Sequence, residues 1–369
     1  MKKHFLRDGD GRRMWESITY EEKYLSAMIQ MAKENFGEND IADEKFIRNQ
    51  YFANPAGDAL IALAYDREKE QIAGQYVVCP MRFLVNSEPI ICANSLNTLT
   101  KKEYRRQGIF TGLAETTYQK EAKMGHLFCY GAPNPNSYPG FVGRLSFQEL
   151  GRIPLYLRPL HPSAMVKDFL HSEVLSILAK PFDFCFKAHL DEQNDQVNIV
   201  HITEENLPIV DALWANIRGK YQVMNIRDAD YINFRYLHMP QREYFPYVAL
   251  YQDEAVAFAV GRITEVSGMR CGMLVDYVFK SGFQNEGEEL LRFMLNIFRL
   301  HGASIAGSLM LAHAEESIVL KRCGFFRCPE KLEPQPFPLI LKLFDKAWKN
   351  QEICSLENWF FTMGDYDAV

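Results

Sequence analysis

One segment of the first half constrains the fold more than any other. Residues 98–113 read TLTKKEYRRQGIFTGL, in which a strand pattern runs into a short basic loop and then into a sequence of helical composition. The backbone N–H groups of such a loop and the N-terminus of the following helix point toward the same space, where unpaired N–H groups and the positive end of the helix dipole bind anions. Gly108 would let the backbone approach a diphosphate closely because it has no Cβ, and Arg105 and Arg106 can add charge-assisted hydrogen bonds to phosphate. The alternative is a solvated basic turn with an ordinary loop glycine.

The hydrophobic pattern around this segment predicts one order of elements that occurs twice. In the first half it predicts a helical opening at 15–50, strands at 59–65, 72–84 and 90–100, a helix at 108–123, a strand at 126–131 and a helix at 138–145. In the second half it predicts a helix at 204–218, strands at 247–251, 255–264 and 269–279, a helix at 286–301, a strand at 304–311 and a helix at 315–323. Antiparallel strands followed by a crossover helix indicate an α/β fold of the α+β, mixed-sheet kind, present as a tandem duplication. We place the two domains at 1–155 and 199–369, joined by a connector at 156–198 that contains a predicted helix at 164–179.

Length and charge agree with two folded domains and exclude several classes of partner. A chain of 369 residues suits about two domains of ~150 residues each. The net charge is -6, and because the second half carries the acidic excess we expect no nucleic-acid groove there. The sequence has no run of 18 apolar residues and no apolar stretch after its basic start, so we expect no membrane span and no secretory signal. The eight cysteines include no CxxC pair, which predicts reduced thiols in a cytoplasmic protein rather than disulfides or metal ligands.

The basic loop resembles the acyl-CoA loop of the GNAT N-acetyltransferase superfamily, whose pattern is [RQ]-x-x-G-x-[GA]. Arg105 and Gly108 match this pattern, whereas Phe110 stands where Gly or Ala is usual, which suggests a slightly different path of the loop. The resemblance implies that backbone amides of residues 107–112 hold the CoA pyrophosphate and that the strand pairs with the pantetheine arm as if with an added strand. The residues that it implies for cofactor binding are Leu99, Thr100, Arg105, Arg106, Gln107, Gly108, Ile109, Phe110, Thr111 and Gly112.

A second block, at residues 129–147, is similar to the Asn…Ser…Tyr-x-x-x-Gly-Phe region of the same superfamily. Asn136 and Ser137 match the residues that cap this helix and touch CoA, and both residue types are preferred at helix N-termini. The sequence RLSF at 144–147 resembles the Lys/Arg-Leu-Gly-Phe ending, with Ser in place of Gly. The two blocks cover residues 55–150 and imply that the first domain is a GNAT domain with the acyl-CoA site.

The resemblance leaves the catalytic groups less defined than the cofactor loop. The family often uses a Glu on the strand before the loop as general base, but that position here is near Asn94, which cannot take a proton. Asn94 and Asn97 could orient the acceptor or a water, or could simply be polar residues on a strand face. The family's general acid is often a Tyr in the later helix; Tyr138 is the available substitute, unless it is a packing aromatic. Positioning the amine beside the thioester can suffice for catalysis, so a missing base does not exclude activity.

The second half keeps family-like features without a credible phosphate loop. The sequence LKRCGF at 320–325 resembles a GNAT helix ending, but residues 280–289 lack the Arg and carry three acids, which would repel a pyrophosphate. We therefore expect that this domain is degenerate and does not bind CoA. Arg235 either lines the acceptor cleft or bridges carboxylates internally. The aromatic tail should pack against the protein, and Asp365 or Asp367 could reach the cleft.

These observations predict an N-acetyltransferase, which transfers an acetyl group from acetyl-CoA to a primary amine of a small molecule by direct attack in a ternary complex. We expect no metal, no nucleic-acid partner and no membrane partner; the sequence leaves the oligomeric state open. One alternative is a non-catalytic CoA-binding or CoA-sensing module. Another is a peptidyl-type transferase that uses aminoacyl-tRNA, although the acidic second half and the intact loop from Arg105 to Gly108 count against it.

Overall fold

The computed structural model describes residues 14–170, 173–185, 196–344 and 351–366. Asp367 and the polar residues 191–195 lie outside these ranges. The strands are β1 (Glu16–Thr19), β2 (Leu60–Asp66), β3 (Gln71–Val85), β4 (Glu88–Thr100), β5 (Phe128–Gly131), β6 (Gln148–Arg152), β7 (Leu155–Pro159), β8 (Val197–His201), β9 (Val223–Asn225), β10 (Phe245–Tyr251), β11 (Glu254–Val266), β12 (Met269–Phe279), β13 (Ile305–Leu309), β14 (Phe326–Arg327) and β15 (Pro338–Leu343). The α-helices are α1 (Leu25–Phe36), α2 (Glu44–Phe52), α3 (Ile109–Lys123), α4 (Tyr138–Arg144), α5 (Pro162–Leu170), α6 (Glu173–Cys185), α7 (Pro208–Ile217), α8 (Ala229–Ile232), α9 (Gln284–Leu300) and α10 (Glu315–Arg322).

The strands form two sheets of similar design. The first sheet has the order β1-β2-β3-β4-β5-β15-β6, with β9 beside the end of β3, and the second has the order β14-β7-β13-β12-β11-β10-β8. Neighbouring strands are antiparallel except for the pairs β4–β5 and β12–β13, which are parallel. Each parallel pair is connected through a helix, α3 in the first sheet and α9 in the second. The mixed-sheet class and the two-fold repetition predicted from the sequence are confirmed.

Strand β3 is covered on both faces of the first sheet. Tyr76 and Val78 belong to the core under helix α3, whereas Val77 and Cys79 belong to the core shared with helices α1 and α2. Successive side chains of a strand point to opposite faces, so a strand covered on both faces is apolar at consecutive positions. This explains why residues 71–85 read as one long buried strand.

The two sheets exchange strands across the division proposed from the sequence. Strand β7, which follows β6 directly, pairs with β13 and β14 of the second sheet. Strand β15, from the last part of the chain, pairs with β5 and β6 of the first sheet, and β9 pairs with β3. Each sheet therefore includes strands from beyond the repeat to which the sequence assigned it.

The opening of the chain and the connector differ from expectation. The predicted helical opening begins instead with β1, which pairs with β2 before the helices start. The single helix expected at 164–179 is two helices, α5 and α6. Both differences fall where short elements depend on partners elsewhere in the fold, which local periodicity does not report.

Candidate active site

The site begins where β4 and β5 separate. The two strands pair only at Ala93 with Cys129 and at Asn94 with Tyr130. Beyond these pairs β4 continues to Thr100 beside β3, so it leaves an unpaired edge facing the end of β5. Backbone groups along such an edge can pair with an extended ligand.

A β-bulge in β4 produces this separation. The register with β3 shifts between Gln75 and Val77, so that Asn97 and Thr98 together face the single residue Tyr76. Asn97 has φ 47, in the left-handed region, and its carbonyl accepts a hydrogen bond of 2.9 Å from Gln75 Nε2. A bulge bends the strand and increases its twist, which turns the end of β4 away from β5.

A cavity fills the space between the separated strands. It has a volume of about 260 Å³ and is open to solvent. It is lined by Phe36, Ile41, Asn94, Ser95, Leu96, Asn97, Thr98, Leu99, Gly131, Ala132, Pro133, Asn134, Ser137, Phe141 and Tyr366. Asn94 is 7% exposed, and among the described residues nothing is hydrogen-bonded to its side-chain amide. That amide can therefore bond to a ligand.

Asn97 lines the same cavity but its side chain is engaged elsewhere. Its Nδ2 donates to Gln50 Oε1 at 2.7 Å and to Tyr51 Oη at 3.0 Å, both on helix α2. These bonds fix the bulge to the helix. The structure thus separates the two asparagines that the sequence singled out together: Asn94 is open to a ligand and Asn97 supports the strand.

The basic loop after β4 presents a run of open backbone amides. Arg106 has φ 65 and Gly108 has φ 77, and Gly108 is the residue that precedes the first turn of α3. Among the described residues, nothing accepts a hydrogen bond from the backbone N–H groups of residues 107–111. Gly112 departs from the expectation, because its N–H donates to the Gly108 carbonyl at 2.9 Å inside the helix. The anion-binding run predicted for residues 107–112 therefore ends at Thr111.

Two buried aromatic residues hold this loop in place. Tyr104 is buried, and its hydroxyl donates to Asp66 at 2.5 Å and accepts from Gln71 Nε2 at 2.9 Å. Burial raises the pKa of Tyr104 to about 12, so the hydroxyl keeps its proton at neutral pH. Trp15 Nε1 donates to the Gln107 carbonyl at 3.3 Å. No sequence pattern selected Tyr104 or Trp15.

Small residues allow bulky ones to pack beside the loop. A Cβ at Gly112 would lie 2.8 Å from the Trp15 ring, so Gly112 serves this packing. Phe110, which replaces the family's usual small residue, packs edge-on against Tyr76 and Phe141. A Cβ at Gly140 of helix α4 would lie 2.8 Å from the Phe110 ring.

The remaining loop residues differ in their exposure. Arg105 and Arg106 are exposed, Ile109 is buried and Thr111 is half-buried, with its hydroxyl donating to the Gly108 carbonyl at 3.1 Å. Leu99 is buried and lines the cavity, whereas Thr100 is half-buried and is not among the cavity-lining residues.

Asn134, rather than the expected pair, organises the start of helix α4. Its Oδ1 accepts from the backbone N–H of Asn136 at 3.0 Å and of Ser137 at 3.1 Å. Ser137 precedes the helix but its hydroxyl donates to Asn134, so it does not cap the helix through its side chain. Ser137 and Asn134 line the cavity, while Asn136 is exposed and does not. An asparagine two residues before a polar turn is a known turn-forming signal, which could have selected Asn134.

Tyr138 lies away from the cavity. Its hydroxyl donates to Glu149 of β6, and this bond raises the pKa of Tyr138. The cavity wall on this helix is formed by Ser137 and Phe141 instead. To act as the general acid, the Tyr138 hydroxyl would have to leave Glu149.

A second pocket adjoins the first and is closed by the second half of the chain. The two pockets share Asn94, Leu96 and Tyr366. The other residues that line the second pocket are Gln50, Asn54, Cys79, Met81, Tyr231, Phe234, Arg235, Met239, Gly364 and Asp365. Arg235 thus lines the cleft, which is the first of the two alternatives that the sequence left open for it. Its NH1 donates to Tyr244 Oη at 2.8 Å.

Arg227, which the sequence did not single out, is the residue that bridges carboxylates. Its Nε donates to Asp276 Oδ2 at 2.9 Å and its NH2 donates to Asp365 Oδ2 at 2.7 Å. Burial alone would lower the pKa of Arg227, but Asp276 and Asp365 raise it well above its usual value. These bonds fix the tail beside both pockets, and Trp359, Phe360 and Phe361 of the tail are fully buried, as expected.

Within the described ranges no group of three or more His, Cys, Asp and Glu side chains is arranged to hold a metal ion. The cysteines whose side chains are described are free thiols, most of them buried. None of the helices seen here has both the length and the apolar character needed to cross a membrane.

Comparison with known proteins identifies the first half and the overall architecture. Residues 16–149 match the sequence model of the acetyltransferase (GNAT) domain. Comparison with curated protein sequences gives no match.

Three solved structures share the fold. A GCN5-related N-acetyltransferase from Anabaena variabilis has a TM-score of 0.63 at 11% identity, over 90% of this chain and 73% of that one. Saccharomyces cerevisiae N-myristoyltransferase with bound myristoyl-CoA has a TM-score of 0.60 at 12% identity, over 89% and 82%. A probable N-acyltransferase from Enterococcus faecalis has a TM-score of 0.59 at 12% identity, over 89% and 73%. Such low identities show the fold alone, but they extend it over both sheets. Residues 16–149 therefore form an acetyltransferase (GNAT) domain, and the chain as a whole shares the two-sheet fold of these N-acyltransferase structures.

Proposed function

We propose that this protein is an N-acetyltransferase that moves the acetyl group of acetyl-CoA to a primary amine of a small molecule. The observation that carries the proposal is the run of open amides at 107–111, in the loop and first turn of α3 that follow β4, the strand whose residues 94–99 line the cavity. An anion site beside a strand edge suits a ligand with a diphosphate at one end and an extended, amide-containing arm at the other.

The residues of the first domain would hold acetyl-CoA in a defined order. The amides of residues 107–111 would bind the pyrophosphate, and the exposed Arg105 and Arg106 would add charge-assisted bonds to phosphate oxygens. The pantetheine arm would follow the unpaired edge of β4 from Thr100 and Leu99 toward Asn94, with Ser137 on the opposite wall. Asn136, being exposed, would contact only the outer part of the cofactor.

The acetyl group would then meet the acceptor where the two pockets join. Asn94 lies on both pockets and can orient the amine or a water through its side-chain amide. The amine nitrogen attacks the thioester carbonyl carbon, the C–S bond breaks, the nitrogen loses a proton and the CoA thiolate gains one. A ternary complex supplies most of the rate by placing the amine next to the thioester, which can replace a strong general base.

Titration with acetyl-CoA tests the cofactor site. The test compares two variants at glycines that flank α3. Gly108→Glu places a carboxylate at the open amides, and we expect acetyl-CoA binding to be lost. Gly125→Glu is the matched control, because Gly125 lies at the other end of α3 with a similar φ of 82 and open space around its Cβ position. Both variants strain the backbone alike, so only a phosphate site at Gly108 predicts a difference. Equal affinity of the two variants for acetyl-CoA would contradict the assignment.

A CoA-sensing module is the second candidate, and one observation favours it. The Tyr138 hydroxyl is bound to Glu149, so the family's usual acid is not placed at the cavity. Release of CoA thiol from acetyl-CoA in the presence of a panel of primary amines separates the two candidates. An enzyme releases thiol at a rate that saturates with one amine class, whereas a sensor binds acetyl-CoA without amine-dependent release.

A further inference from the structure

The pocket between the two halves contains a buried carboxylate that is only half satisfied. Asp365 is 1% exposed and lines this pocket. Its Oδ2 accepts from Arg227 NH2 at 2.7 Å and from the Thr362 backbone N–H at 2.9 Å. Its Oδ1 has no hydrogen-bond partner among the described residues. An unpaired carboxylate oxygen is costly in a protein interior, so such an oxygen beside a pocket indicates a ligand donor.

Both halves of the protein hold Asp365 in position. Tyr130 of the first sheet donates its hydroxyl to the Asp365 carbonyl at 3.2 Å. Tyr231 of the second half donates to the carbonyl of the preceding residue, Gly364, at 2.9 Å. The carboxylate is therefore fixed at the junction of the two halves rather than at the end of a loose tail.

Asp365 shares the guanidinium that bonds to it, that of Arg227, with a second buried carboxylate. Arg227 is shared with Asp276, whose Oδ1 accepts in addition from Thr362 Oγ1 at 3.0 Å and whose Oδ2 accepts from Tyr236 at 3.1 Å. Burial raises the pKa of Asp365 although Arg227 acts in the opposite direction, so one shared guanidinium does not offset the loss of water. A positively charged donor at Oδ1 would supply the missing compensation.

The walls of the pocket are suited to a small apolar body. Phe234, Met239 and Met81 line it together with Leu96. Its volume of about 40 Å³ has room for an ammonium group, and the rest of a ligand would extend into the adjoining cavity between β4 and β5. Arg235, the basic side chain of this wall, directs NH1 to the Tyr244 hydroxyl at 2.8 Å. A ligand that pairs with Asp365 would thus lie on apolar side chains, with its cationic end at the carboxylate.

We propose that Asp365 binds the ammonium group of the acceptor, and that the acceptor is a primary amine, positively charged in solution, on a small apolar frame. This inference rests on the proposed function, since the pocket is the acceptor side of the acyl-CoA cavity. It adds a specificity-determining residue from the tail, outside the GNAT domain of residues 16–149.

The test measures binding of n-butylammonium, with n-butanol as its neutral isostere, to CoA-saturated protein by ligand-observed NMR. We expect the wild type to bind n-butylammonium about tenfold or more tightly than n-butanol, as a charge-assisted bond implies. Asp365→Asn should remove this preference. Asp276→Asn is the matched control, because Asp276 is equally buried and pairs with the same Arg227 but does not line the pocket; it should keep the preference.

Each outcome decides the inference. Equal binding of the two ligands by the wild type, no binding of n-butylammonium, or an unchanged preference in Asp365→Asn would overturn it. If either variant fails to fold, as judged by circular dichroism, the wild-type comparison of the two ligands decides alone. Titration of the same samples with acetyl-CoA separates failure of this inference from failure of the proposed function. Normal acetyl-CoA binding without a preference for the cation would exclude the role of Asp365 but would still support the proposed cofactor site.

Discussion

Two asparagines of β4 have different surroundings, because Asn97 is hydrogen-bonded to α2 and Asn94 lines both pockets. We expect Asn97→Ala to lower the free energy of unfolding by about 1–3 kcal/mol, because it removes two hydrogen bonds to α2 and places Ala in the left-handed region. We expect Asn94→Ala to leave stability nearly unchanged and to lower kcat/KM for amine-dependent thiol release by about tenfold. Urea denaturation and thiol release, measured on both variants, check the two expectations. A stable Asn94→Ala variant with wild-type kcat/KM would make Asn94 a packing residue.

Residues of the site were predictable from the sequence where the relevant geometry is local. Arg105 and Gly108 lie in one short loop whose spacing determines which amides point outward. Trp15 was not predictable in this way, because its bond to Gln107 joins residues 92 positions apart. Tyr138 shows the same limit, since its orientation depends on Glu149, which lies on a strand that the sequence did not indicate.

At the scale of elements, the length of a strand determined whether it could be predicted from the sequence. The long strands β3 and β4 show their hydrophobic pattern over many residues, and their predicted positions are confirmed. The short strands β6, β7 and β15 carry too few residues for a periodic signal, and each owes its place to a partner far away in the chain. Nothing local to residues 155–159 indicates that this strand belongs to the second sheet.

The tail occupies the place in the second sheet that corresponds to the cavity in the first. Strands β12 and β13 pair only from Cys271–Ile305 to Met273–Gly307 and then separate, as β4 and β5 do. The tail enters this opening: Thr362 forms a bridge with Met310, and its hydroxyl donates to Asp276 of β12 at 3.0 Å. An opening filled by the protein's own backbone cannot accept a pantetheine arm.

We therefore expect one acetyl-CoA per chain, although the architecture repeats. Isothermal titration should give a stoichiometry of about one, because in the part of the chain that the structure describes only the first sheet combines an open strand edge with a loop of unpaired amides. The acidic residues at 286, 288 and 289 of the second half add electrostatic repulsion. The Gly108→Glu variant provides the internal control, since it should bind none. A stoichiometry of two, or residual binding by that variant, would show that the second sheet also takes the cofactor.

For the whole molecule, strand exchange makes each sheet depend on the other half. The first sheet needs β9 and β15 from the second half, and the second sheet needs β7 from the connector. The tail adds to this dependence, because Trp359 packs against Phe83, Phe128 and Tyr130 of the first sheet. Two GNAT-like sheets linked in this way should unfold as one cooperative unit rather than as two independent domains.

Fragments of the chain test this dependence directly. A fragment of residues 1–155 lacks β15 and β9, so β5 and β6 lose the strand that joins them and the core around Phe128 loses Trp359. Exposed strand edges and an open core favour aggregation over folding, and we expect neither cooperative unfolding in urea nor acetyl-CoA binding by this fragment. The control is a pair of co-expressed fragments, 1–193 and 194–369, which divides the chain inside a polar segment and retains every described strand; the pair should assemble, bind acetyl-CoA and unfold in one transition. If residues 1–155 alone fold and bind acetyl-CoA with wild-type affinity, the exchanged strands are dispensable, and the two sheets are separate domains that merely lie side by side.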